Sequence, residues 1–239
     1  MPAPAATTCV VRKRTADGNG ATASGGSLPR RSRALLAPYL DAVAALNDGR
    51  GLSTYPGSPA LSQAFLRAQD RLIACELEPN AAAELKGNLA GDKRSKAIAI
   101  DGWTALNAYV PPKERRGLVL IDPAFEDTAD FARLAEALAA AHRKWASGIY
   151  LAWYPIKERK PPELLARQLR KSGVAKILRA ELSVAAPRDD TPLRACGLIA
   201  VNPPWTLERE LQTLLPELAK ILASDGGGGH RLGWLAGEP

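Results

Sequence analysis

Arg116-Gly117-Leu118-Val119-Leu120-Ile121-Asp122-Pro123-Ala124-Phe125 is a run of aliphatic residues that ends abruptly in an acid and a proline. Five consecutive apolar positions, two of them β-branched, suit a strand buried on both faces, as in a parallel sheet. Proline cannot donate to a sheet ladder, so the strand must stop at Asp122. An acid at the carboxyl end of such a strand projects into the crevice where open α/β sheets bind their ligands.

The neighbouring sequence repeats this plan. Leu72-Ile73-Ala74-Cys75 is an expected strand ending at Glu76, and Ala97-Ile98-Ala99-Ile100 another, ending at Asp101-Gly102. Ile149-Tyr150-Leu151-Ala152-Trp153 is a fourth. Helical periods fall over 34–47, 59–69, 80–89, 130–146 and 161–171, so strands and helices alternate and the sheet should be mostly parallel. The last third differs. Strands at 175–185 and 195–201 follow one another with no helix between them, then come a helix over 206–223 and a short strand near 232–235. Parallel units closed by an antiparallel pair predict an α/β, Rossmann-like fold of the class I methyltransferase type.

Composition narrows the function. Nearly half of the 239 residues are hydrophobic, and no apolar run is long enough to cross a bilayer. Cys9, Cys75 and Cys196 are scattered, without zinc spacing or a disulfide framework, which suggests reduced thiols and a cytoplasmic protein. Of the net charge of +7, residues 1–33 supply +5, from six basic residues against Asp17. The remainder is mildly basic, which is compatible with a nucleic-acid partner. His142 and His230 have no partner at metal-ligand spacing, so no metal site is expected. Hydrolase elbows and phosphate loops are missing too.

Three acids at three strand ends point to one crevice. Asp122-Pro123-Ala124-Phe125 resembles the Asp/Asn-Pro-Pro-Tyr/Phe motif of methyltransferases acting on amino nitrogen. An adenine amine is a poor nucleophile because its lone pair is delocalised into the ring. A carboxylate and a fixed backbone carbonyl that accept its hydrogens help the nitrogen pyramidalise, and the carboxylate can take the released proton. Asp122 is thus the candidate catalytic acceptor, and Phe125 is expected to stack on a flipped-out base. Glu76 stands where ribose hydroxyls are usually bound. Asp101 and Gly102 stand where the adenine of a cofactor is held. Ser58, with Pro59 behind it, is expected to cap a helix and face a cofactor carboxylate. Asn202-Pro203-Pro204-Trp205 looks closer to the motif but follows the second antiparallel strand, at the far edge, and reads as a turn.

Tyr55-Pro56-Gly57-Ser58-Pro59, Arg116 to Pro123, Ala152-Trp153-Tyr154-Pro155 and Val201-Asn202-Pro203-Pro204-Trp205 occur in this order. Together they resemble the J-type bacterial large-subunit (23S) ribosomal RNA adenine-N6-methyltransferases, over residues 34–239. The resemblance implies a class I fold with a small helical insert, of which 34–57 would be the remnant and 58–239 the methyltransferase domain. It implies S-adenosyl-L-methionine as cofactor, held by Ser58, Glu76, Asp101, Gly102 and Asp122. It also implies 23S ribosomal RNA as partner, no membrane, and a monomer. A DNA adenine-N6 methyltransferase and a catalytically impaired RNA-binding fragment are the alternatives.

The family carries a first strand and a loop Asp-Thr-His-Ala-Gly-Ala-Gly that residues 1–33 lack. With codon boundaries moved back one base, Met1–Ala5 can encode His-Ala-Gly-Ala-Gly, and Gly18–Gly25 can encode Glu-Trp-Arg-Asp-Gly-Ile-Gly. Residues 1–33 therefore read as a disordered or non-native tail, a shifted-frame translation of that region. A sheet without its central strand should bind cofactor weakly.

Overall fold

A computed structural model describes residues 6–12, 28–47, 51–127, 129–185, 193–224 and 227–237. It contains an eight-stranded sheet. The strands are β1 (Ala6–Arg12), β2 (Arg71–Glu76), β3 (Ser95–Ala99), β4 (Arg116–Asp122), β5 (Ile149–Pro155), β6 (Ile177–Ser183), β7 (Ala195–Val201) and β8 (Gly229–Ala236). Their spatial order is β3-β2-β1-β4-β5-β7-β6-β8. The first five are parallel, whereas β7 runs antiparallel to β5 and β6, and β8 antiparallel to β6. The first seven positions are the class I methyltransferase order, and β8 is an added edge.

The position of β1 corrects one expectation. Residues 1–33 were expected to hold no regular element, yet 6–12 pair with β2 on one side and β4 on the other. The sheet therefore keeps its central member. The reason is local: Thr7-Thr8-Cys9-Val10-Val11 is mostly β-branched, which suits the twice-flanked slot despite the low-complexity surroundings. The loop that follows lies outside the described residues, and so do both stretches, Met1–Ala5 and Gly18–Gly25, on which the shifted-frame reading of residues 1–33 rests.

The helices are α1 (Arg30–Ala44), α2 (Ser58–Ala64), α3 (Pro79–Asn88), α4 (Gly102–Tyr109), α5 (Ala129–Lys144), α6 (Lys160–Lys171) and α7 (Leu207–Ile221). Strand alternation sorts the core into two layers. Leu72 and Ala74 of β2 join Leu120 of β4, Leu85 and Leu89 on one face. Cys75, Val119 and Ile121, one residue out of step, face the other layer, with Leu134 and Leu138 of α5 and Leu165 and Leu169 of α6. In α5, Phe131, Leu134, Ala135, Leu138 and Ala139 fall at helical spacing and are all buried. Asp130 in its first turn and His142, Arg143 and Lys144 in its last oppose the helix dipole.

Several boundaries moved. The first helix starts at Arg30, not 34, and α2 ends at Ala64, not 69. Gly57 takes the cap position of α2 and Ser58 is its first residue, with no side-chain cap bond. The expected Ser58 cap is thus corrected: Pro59 is tolerated in the first turn because its missing N–H has no helical partner there anyway. The final strand is longer than 232–235 because β8 pairs along the whole of β6.

Candidate active site

The parallel register assembles the acids. Val11 is level with Cys75 on one side and Ile121 on the other, and Arg12 is level with Asp122. Glu76, one residue past Cys75, therefore stands in the same transverse row as Asp122, two strand spacings away, or about 10 Å. Glu76 continues the Leu72, Ala74 alternation and Asp122 the Leu118, Leu120 alternation, so both acids point to the face that carries Leu72 and Leu120. Glu76 also pairs with Ala99 of β3, which brings Asp101 to the same edge two residues further on.

Glu76 is 3% exposed. Its Oε1 accepts the N–H groups of Leu77 (2.9 Å) and Glu78 (3.0 Å), which orients the carboxylate. Its Oε2 accepts no hydrogen bond among the described residues. A buried carboxylate oxygen without a donor is costly unless a ligand supplies one. Glu76 borders a cavity of about 420 Å³ that Tyr55, Gly57, Ser58, Glu84 and Asn88 also line. Ser58 and Glu76 thus meet in one cavity. Asp101, Gly102, Asp122 and Phe125 lie outside its lining, along the same sheet edge. Tyr55, Glu84 and Asn88 were not foreseen. The spacing of Glu84, Leu85, Asn88 and Leu89 was a readable signal, since it puts one face of α3 against the cavity.

Asp101 caps α4. Its Oδ2 accepts the Thr104 N–H (2.9 Å) and hydroxyl (2.8 Å). Partial burial acts to raise its pKa, but the Thr104 bonds and the nearby Arg133 guanidinium outweigh this and hold the carboxyl below its ordinary range. Arg133 lies over the Trp103 ring, 4.9 Å from its centroid, beside Gly102. This gives the Asp101–Trp103 turn a rigid, flat border.

Asp122 is half-buried at the end of β4. The chain then turns sharply, and Phe125 adopts φ 51°, a left-handed conformation that is unfavourable for an aromatic residue. A stacking platform was expected at Phe125. The structure instead buries its ring to 8% exposure, packed on Phe131 (centroids 4.7 Å apart) and Trp153 (6.1 Å). The turn directs the ring inward because α5 and β5 present an apolar hollow there. The left-handed turn is thus braced by the core beneath it.

A second set of contacts fixes β5. Tyr154 is fully buried and its hydroxyl donates to Glu181 (2.8 Å). Burial, together with the adjacent Glu181 carboxylate, pushes the phenol pKa up, so Tyr154 stays a donor. Arg179, 2% exposed, pairs with Glu163 (3.1 Å) and Glu181 (3.6 Å), and Arg231 reaches Glu163 at 2.6 Å. At the opposite edge, Asn202 holds φ 52° and donates through its amide to the carbonyls of Ala146 and Gly148 (both 2.8 Å). Because β7 runs against β4, Asn202-Pro203-Pro204-Trp205 stands away from Asp122, and Trp205 is 92% exposed. Among the described residues, no group of three or more His, Cys, Asp or Glu is placed to hold a metal, and no helix is long and apolar enough to cross a membrane.

Comparison with known proteins agrees with this architecture. Two curated proteins, both named Ribosomal RNA large subunit methyltransferase J, are similar over most of the chain. The one from Haemophilus influenzae is 36% identical over 204 residues, covering 85% of this chain and 73% of its own length. That from Escherichia coli K12 is 36% identical over 203 residues, covering 85% and 72%. A crystal structure of a protein from Legionella pneumophila superposes with a TM-score of 0.81 at 27% identity, over 96% of this chain and 88% of that one. A family model described as RsmJ, Ribosomal RNA large subunit methyltransferase D, RlmJ, matches residues 29–236. The chain therefore belongs to the RlmJ family of ribosomal RNA large subunit methyltransferases.

Proposed function

We propose that this protein transfers a methyl group from S-adenosyl-L-methionine to the exocyclic N6 amine of an adenine in 23S ribosomal RNA, with Asp122 as the acceptor for the amine. The observation that carries this reading is the row formed by Glu76 and Asp122 across β1, with the Asp-Pro turn directly behind Asp122. Family membership and the names of the two curated relatives support the ribosomal RNA substrate.

The residues fit the cofactor. The Oε2 of Glu76, without a donor among the described residues, is a buried acceptor suited to a ribose hydroxyl. Ser58 supplies a hydroxyl in the same cavity, suited to a carboxylate. Asp101 and Gly102 border the adenine position, and Asp122 the reacting end. When bound, the cofactor supplies an electrophilic methyl group.

The rest is done by the chain. Asp122 accepts one hydrogen of the amine, and the carbonyl of the Asp-Pro turn accepts the other. Both draw the nitrogen lone pair out of the ring. As the new C–N bond forms, the methyl–sulfur bond breaks with its electron pair left on sulfur, S-adenosylhomocysteine departs, and the surplus amine proton passes to the Asp122 carboxylate and then to water. Pro123 keeps the carbonyl aimed, because it fixes φ and removes a competing N–H.

The test is methyl transfer from isotopically labelled S-adenosylmethionine to protein-free 23S ribosomal RNA, with nucleosides identified by mass spectrometry. N6-methyladenosine is expected, and Asp122→Ala should lower kcat about 10²- to 10⁴-fold. Label in another nucleoside, preferential labelling of duplex DNA, or undiminished activity of Asp122→Ala would each refute the reading.

A further inference from the structure

The half of the sheet made by β5, β7, β6 and β8 rises past Asp122. Ile121 pairs with Ala152, so Asp122 is level with Trp153. Three residues further along, the Ile156 N–H still donates to the Ala195 carbonyl (2.9 Å), and Ser183 pairs with both Ala195 and Gly229. Three residues of strand span about 10 Å, so this half forms a wall beside the crevice. A cavity of about 510 Å³ opens in the wall, with Arg159, Glu163, His230 and Arg231 in its lining.

Among the described residues the charges there do not cancel. Arg179 and Arg231 are matched by Glu163 and Glu181. Lys157, Arg159 and Lys160 at the top of the wall are exposed and make no ion pair among the described residues, and Glu158 is the one acid in their run. His230 is exposed beside them. Burial of α6 through Pro162, Leu165 and Leu169 makes the base of this cationic rim rigid. Cations on a rigid base, unmatched among the described residues and next to a reaction crevice, suit the evenly spaced charges of a nucleic-acid backbone.

We infer that Lys157, Arg159 and Lys160 form a docking rim for the phosphates of the RNA strand flanking the target adenine. This rests on the proposed RNA methyltransferase activity. The phosphate contacts position the strand, and the Asp-Pro turn reads the amine.

The test compares the wild-type chain with Lys157→Ala/Arg159→Ala/Lys160→Ala, and with Arg167→Ala/Arg170→Ala/Lys171→Ala, which removes the same charge from exposed positions at the other end of α6. Binding of protein-free 23S ribosomal RNA is titrated over a range of salt, with steady-state methylation alongside. The rim variant should bind at least about tenfold more weakly near 0.1 M salt, and its slope of log K against log salt should fall by about 2, near 0.7 per lost contact on a single strand. KM for RNA should rise with kcat nearly unchanged, while S-adenosylhomocysteine binds as before. The distal variant should stay within about twofold of wild type. Equal losses in both variants, or none in the rim variant, would overturn the rim while leaving the proposed activity standing. A wild-type chain that neither binds nor methylates the RNA would overturn both.

Discussion

Gly197 on β7 is the residue on which the packing of Tyr154 depends. A Cβ at Gly197 would overlap Cζ and the hydroxyl of Tyr154 and lie 2.6 Å from its Cε2. The ring has little room to yield. It is fully buried, its hydroxyl is bound to Glu181, and its other side meets Phe131 edge-on at 6.4 Å. Gly197→Ala therefore forces either overpacking, at about 1–3 kcal/mol, or displacement of the ring with loss of its hydrogen bond. The second route leaves a buried acceptor short of a donor and adds about 1–3 kcal/mol. The expected destabilisation is about 1–3 kcal/mol by the first route and about 2–6 kcal/mol where both costs add. Urea unfolding followed by far-ultraviolet circular dichroism measures it, with Gly233→Ala as control, since nothing lies within 4 Å of a Cβ there. In a Tyr154→Ala background, adding Gly197→Ala should cost under about 1 kcal/mol, because the clashing ring is gone. If Gly197→Ala unfolds within about 0.5 kcal/mol of the native chain, the packing argument is wrong.

Other outcomes follow from the site and its supports. Glu76→Ala should abolish micromolar binding of S-adenosylhomocysteine in calorimetric titration while leaving the circular dichroism spectrum intact, and equal affinity in the variant would remove Glu76 from the cofactor site. Asp101→Ala should cost about 1 kcal/mol through loss of the α4 cap. Because the folded pKa of Asp101 lies below its ordinary value, that contribution is fully present above the unfolded pKa and is lost as pH falls through the folded one. The difference between wild type and variant should therefore shrink in acid, and a difference that grows on acidification would contradict the assignment. Arg179→Met should destabilise by about 1–3 kcal/mol, the cost of losing charge-assisted bonds from a buried guanidinium whose partner acids keep Arg231 and Tyr154. A thermal unfolding midpoint unchanged from wild type would show that Glu163 and Glu181 do not depend on Arg179.

Much of the molecule can be read from local pattern. The run from Gly117 to Asp122, the strands ending at Glu76 and near Asp101, and the helix-free junction between β6 and β7 each carry their own signal. Those signals were enough to specify a mostly parallel sheet with acids on one edge. What escaped was decided by tertiary context. β1 is invisible by composition, since its seven residues sit among Ala, Gly, Thr and Ser, and only the slot between β2 and β4 selects it. Phe125 was misplaced because an aromatic residue after a strand can turn to the crevice or the core, and the hollow between Phe131 and Trp153 decides which. Ser58 was placed one position off because Gly57 and Ser58 are both good cap residues before a proline. The Glu163–Arg179–Glu181–Arg231 network joins three elements far apart in sequence, and no spacing rule reveals such a set.

The place of β1 also governs how the chain reaches this fold. The strand is early in the sequence, yet Ala6 pairs with Arg116, a partner 110 residues later. At typical rates of synthesis, about 5–20 residues per second, the later strand follows the earlier by on the order of 5–20 s. During that interval β1 can pair with β2 at most, and its second edge stays open to other chains. Closing the sheet centre is thus a late, non-local event of the kind that slows folding, and conditions that lengthen the wait, such as slow translation or low temperature, should lower the yield of folded protein more than the stability of the finished sheet would suggest.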